Sequence, residues 1–64
     1  MTPAYIRALR QRFGDSQEDF ARRVGVSLRA VWSWEAGQSR PSRMALDRLD
    51  QVRRHLPEFS RAEA

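Results

Sequence analysis

The chain contains no cysteine, no lysine and a single histidine, His55. Without thiols it has neither a disulfide framework nor a thiolate zinc site, so its fold must rest on packing alone. One histidine, with no glycine-rich phosphate loop ahead of a helix, leaves little for a catalytic constellation, and no enzyme is expected. His55 falls in the last turn of a helical pattern, where it serves the helix dipole or the solvent rather than a ligand or base. The acidic run "GDSQED" lacks the alternating spacing of a calcium loop and reads as helix capping, so no metal and no cofactor are expected. No apolar run approaches the roughly 18 residues of a membrane span. The opening "MTPAYIRALRQRF" has no signal-peptide core. These absences together predict a soluble, cytoplasmic protein with no membrane partner.

What is present in quantity is arginine. All 12 cationic side chains are arginine, against 8 acidic ones, for a net charge of +4 and an isoelectric point of about 11.3. A basic domain favours polyanionic partners. The exclusive use of arginine suits planar, bidentate contact with phosphate and guanine, and is equally what a GC-rich genome would encode. At 64 residues the chain reads as one domain, 1–64. Domains of this size bury only about 60% of the surface exposed when unfolded, so dimerisation or a ligand would help to hold the fold.

The punctuation predicts helices throughout and no strand, repeat or linker. Thr2 as N-cap and Pro3 at the first helical position open a helix that closes at Gly14, with Ile6, Leu9 and Phe13 on one face and Arg10 beside it. Ser16 caps a second helix carrying Glu18 and Asp19 in its first turn, Phe20, Ala21 and Val24 on its inner face, and Gly25 as its stop. Val26 packs in the connecting turn. A third helix runs from Ser27 to Gly37. After "QSRP", Ser42 caps a fourth whose Ala45, Leu49, Val52 and Leu56 form a stripe with Leu46 at its edge. Pro57 ends this helix or starts a short fifth over "PEFSRAEA". Arg43 with Asp47 and Asp50 with Arg54 are opposite charges four apart. That face, with Arg48 and Arg53, reads as solvated. The expected class is all-α, a compact bundle of four to five short helices.

On the wheel of the third helix Ala30, Val31 and Trp34 share the inner face, and Trp34 reads as core. Arg29, Trp32, Ser33 and Ala36, with Leu28 at the upper edge, face outward. Glu35 sits at the border, as Arg10 does on the first helix. Each is expensive to half-bury alone, so a mutual ion pair is expected, with spare donors of Arg10 open to a phosphate.

Two helices joined by a glycine turn, "SQEDFARRVGVSLRAVWSWE", then "AGQSRPS" and a leucine-bearing helix, resemble the helix-turn-helix domain of the phage repressor and Cro type, the XRE-like regulators. The likeness runs from about Ile6 to Leu49. It is carried in order by Leu9-Arg10, Ser16-Gln17, Ala21, Gly25 to Ser27, Trp34-Glu35, Gly37 and Pro41-Ser42, with the helix-turn-helix proper at about 16–36 and a tail or fifth helix at 57–64.

The resemblance implies a sequence-specific DNA-binding regulator, a repressor whose third helix enters the major groove of double-stranded DNA. Gln17 then corresponds to a phosphate-contacting residue, and Ser27 to a cap that also donates to phosphate. Arg29 and Ser33 correspond to base readers, flanked by Leu28 and Trp32. Arg40 and Arg43 resemble the loop residues that touch the backbone. Leu28 and Trp32 depart from the polar pattern of the family. Leu28 offers only apolar contact, such as with a thymine methyl, and Trp32 lies on the sugar-phosphate wall, over a methyl, or against a partner protein. A homodimer on an inverted repeat is expected, with Leu56 and Phe59 as its contacts. The alternative is an antitoxin or other interaction module that masks a toxin partner and also represses its own operon. The setting implied is the nucleoid of a bacterial or phage-infected cell.

Overall fold

The computed structural model describes residues 1–56, so Phe59 and the expected tail or fifth helix at 57–64 lie outside the described residues. Four helices follow in order, α1 Pro3–Arg12, α2 Gln17–Val24, α3 Leu28–Glu35 and α4 Arg43–Arg53, with no strand among the described residues. Each begins where a hydroxyl satisfies a backbone donor that the helix leaves open. Thr2 Oγ1 accepts from the Tyr5 amide at 3.1 Å, Ser16 Oγ from Asp19 at 3.0 Å, Ser27 Oγ from Ala30 at 3.0 Å and Ser42 Oγ from Ala45 at 3.2 Å. Such a cap contributes about 1 kcal/mol. Pro3 costs nothing at the start of α1, because its missing N–H would have had no partner there.

The helices meet around one core of Ile6, Leu9, Phe20, Ala21, Val24, Val31, Trp34, Ala45 and Leu49. Helix α2 packs on α3 across the glycine turn, α1 covers α3, and α4 covers α2. Phe20, Ile6, Leu9, Leu49 and Val31 are the largest fully buried side chains. Side chains of that kind stabilise by roughly 1.5–3 kcal/mol each on leaving water. Trp34 is buried, as its spacing from Val31 predicts.

Several expectations are corrected by the packing. Phe13 does pack against the core with Ile6 and Leu9, but only half-buried, because it lies at the end of α1, where the Arg23 guanidinium carbon stands 4.1 Å from its ring centroid. Leu56 packs partly against the core, as its place in the α4 stripe predicts, so the fold itself uses a residue expected to serve the dimer contact. Asp50 does pair with Arg54, at 2.8 Å, but also with Arg53, at 2.6 Å, whose side chain is largely covered. Arg43 and Asp47 form no ion pair among the described residues. Arg48 is not merely solvated: its guanidinium donates to the Gly25 carbonyl and ties α4 to the turn between α2 and α3.

Candidate nucleic-acid interface

With Val31 and Trp34 turned into the core, the 3.6-residue period obliges Arg29, Trp32 and Ala36 to face solvent, and all three are exposed. Leu28, at the first position of α3, is 45% exposed and Trp32, one turn later, 46%. These two, with Arg29, Ser27 and Gln17 from the start of α2, line one open cleft on the outer side of the helix pair. Of the residues singled out from the sequence, those five are brought together. Ser33 is half-buried, and its hydroxyl lies 2.7 Å from that of Ser39, tying α3 to the loop that follows. Arg40 stands apart from the cleft, lining a second hollow with Met1, Thr2, Pro3 and Trp34. Arg43 is exposed at the first position of α4.

Behind the cleft lies Glu35, only 6% exposed. Arg10 meets its carboxylate in bidentate fashion, Nε to Oε2 at 2.7 Å and Nη2 to Oε1 at 3.0 Å, while Nη1 donates to the Asp15 carbonyl at 3.0 Å. All three guanidinium nitrogens are thereby engaged inside the protein, which narrows the spare capacity expected of Arg10. Gln17 Nε2 also donates to Glu35 Oε1, at 3.3 Å. Arg7 adds a longer ion pair at 3.7 Å and donates from Nη2 to the Glu35 backbone carbonyl at 3.0 Å. Burial alone pushes the Glu35 carboxyl up; the hydrogen bonds from Arg10 and Gln17 and the charges of Arg10 and Arg7 outweigh it and hold the group below the ordinary glutamate value. This cluster fixes α1, α2 and α3 to one another just beneath the exposed face.

Arg7 was not visible as a partner of Glu35 in the sequence, although its place three residues before Arg10 puts both on one side of α1. The clamp from Arg23 to Asp15 was equally hidden: Nε donates to Oδ2 at 2.6 Å and Nη2 to Oδ1 at 3.0 Å. Its hydrogen bonds hold the Asp15 carboxyl below the usual aspartate range.

The guanidinium groups of the described residues divide sharply. Arg7 and Arg10 are taken by Glu35, Arg22 by Glu18 and Asp19, Arg23 by Asp15, Arg53 and Arg54 by Asp50, and Arg48 by the Gly25 carbonyl. Arg12 is likewise engaged. Among the described residues, Arg29, Arg40 and Arg43 alone have neither hydrogen bond nor ion pair. They are the same arginines that the resemblance assigns to bases and backbone.

No helix among the described residues is long and apolar enough to cross a membrane. Neither a curated protein nor a solved structure is similar enough to match the chain. The sequence model of the helix-turn-helix domain matches residues 4–62. With α2, the Gly25 turn and α3 forming the motif itself, the chain belongs to the helix-turn-helix domain family, which points to a DNA-binding regulator.

Proposed function

We propose that the protein is a sequence-specific transcriptional regulator, a repressor that occupies an inverted-repeat operator as a homodimer with α3 in the major groove. The observation that carries this reading is the division of the arginines: a cation without an internal partner on an exposed helix is free for a guanine edge or a phosphate. Arg29 lies near the start of α3, where side chains reach the groove floor, and its fork matches the O6 and N7 acceptors of guanine. Ser33, Leu28 and Trp32 complete the base-facing surface. Ser27 accepts the Ala30 amide through its oxygen, which leaves its hydroxyl proton for a phosphate. Gln17 keeps its second amide N–H for the same purpose. Arg40 and Arg43 serve the backbone beyond the end of α3.

Binding titrations of two variants against cognate and scrambled duplexes, at several salt concentrations, test the assignment. Arg29→Ala is expected to cost roughly 1–3 kcal/mol on the cognate duplex and to relax preference at one base pair. Arg40→Ala is expected to weaken both duplexes alike and to lower the salt slope by about one. Equal losses on both duplexes for Arg29→Ala would make it a backbone contact and pass base reading to Ser33, Leu28 and Trp32. The exposed Trp32 and Met44 support a second reading, an antitoxin whose apolar surface meets a toxin. Salt-dependent binding to duplex DNA by the chain alone favours the first.

A further inference from the structure

We infer that the cleft formed by Leu28 and Trp32 reads the C5-methyl group of a pyrimidine, in thymine or in 5-methylcytosine, beside the base that Arg29 contacts. The inference rests on the reading of α3 as the groove-facing helix and names what part of that helix recognises. Leu28 and Trp32 lie one turn apart, line the same cleft, and are each nearly half exposed, so the core does not account for either. Leu28 has no polar atom and Trp32 only an indole N–H, so the pair is ill suited to reading a pattern of donors and acceptors. The major-groove edge of DNA carries one apolar group, the methyl on C5 of thymine. Methylation of cytosine places the same group on the same ring atom. Arg29, between the two apolar residues in sequence and without an internal partner, together with the net charge of +4, favours a polyanion in this cleft over an apolar protein surface.

The full chain is first used to select duplexes from a randomised pool. A selected duplex is then resynthesised with deoxyuridine in place of each thymidine in turn, which removes a methyl and nothing else, and with 5-methylcytosine in place of each cytosine. Burial of one methyl corresponds to about a four-fold change in affinity. The expected result is a weakening of that size at one thymidine per half-site, or a tightening of that size at one cytosine, and its disappearance in Leu28→Ala and Trp32→Ala. A response to deoxyuridine assigns thymine, and a response to 5-methylcytosine assigns the methylated base. Thermal melting establishes that each variant is folded, and if Trp32→Ala is not, Leu28→Ala decides. A duplex that the chain binds selectively but whose affinity ignores every such exchange would overturn the inference while leaving the DNA-binding reading intact; so would a methyl response that keeps its size in a folded variant. Failure to select any duplex would overturn both and return the apolar pair to a protein partner.

Discussion

A carboxylate as deeply buried as Glu35 is tolerated only because Arg10, Gln17 and Arg7 converge on it. Removing one partner of such a pair leaves an uncompensated charge out of water, so Arg10→Ala is expected to destabilise by about 3 kcal/mol at neutral pH. The effect should depend on acidity. In the native protein the folded carboxyl titrates below its unfolded value, so its contribution is present above the unfolded value and lost as pH falls through the folded one. In Arg10→Ala, burial opposes the charged form with less to offset it, and protonation relieves the fault. Urea unfolding of both proteins from pH 7 down to about 3 should therefore show the gap between them narrowing below roughly pH 4.5. A gap independent of pH would mean that Arg10 stabilises by packing rather than by charge.

At the scale of elements, the turn between α2 and α3 sets the angle at which the exposed helix is offered. Gly25 ends α2 with φ at +85°, a left-handed conformation that costs a side-chain-bearing residue roughly 1–2 kcal/mol. Its carbonyl holds Arg48 of α4, and a β-carbon there would stand 2.7 Å from the Arg48 Nη1. Gly14, between α1 and α2, has a similar φ of +72° but open space around the missing β-carbon. Gly25→Ala should thus lower the melting temperature more than Gly14→Ala, and the two should converge when Arg48 is also replaced by Ala. Equal effects in the native background would show that the Arg48 tether carries no stability.

For the whole molecule, the nine buried side chains that form the core among the described residues are few, and a single α3 in the groove would cover few base pairs. Two copies related by a two-fold axis would present paired α3 helices about 34 Å apart along one side of the duplex. Sedimentation is expected to show two protomers on an inverted-repeat duplex, with a melting temperature that rises with protein concentration if the free chain also dimerises. A single protomer both free and on DNA would be decisive against the dimer. Since Leu56 is partly engaged with the core and Phe59 lies outside the described residues, the exposed Met44 joins Leu56 as a candidate contact.

Much of the architecture follows from residues within four positions of one another. Thr2, Ser16, Ser27 and Ser42 start helices through their own next turn, Gly25 stops α2 by its own backbone freedom, and the stripes through Ile6, Phe20, Val31 and Leu49 declare which faces turn inward. The Arg10–Glu35 pair could be inferred because both residues border apolar faces and neither is tolerable alone. The Asp50–Arg54 pair was legible from its spacing, and the longer-range polar partnerships were decided by packing. Arg7 reaches Glu35 and Arg48 reaches Gly25 only because helices distant in the chain are stacked in one order, whereas Arg23 reaches back along α2 to Asp15, just ahead of that helix. Sequence spacing puts Arg7 on the same side of α1 as Arg10 but does not name its partner, since any of several arginines could meet a given oxygen until the helices are in place. Among the described residues, the same packing decided which guanidinium groups remained without an internal partner, leaving Arg29, Arg40 and Arg43 to face outward.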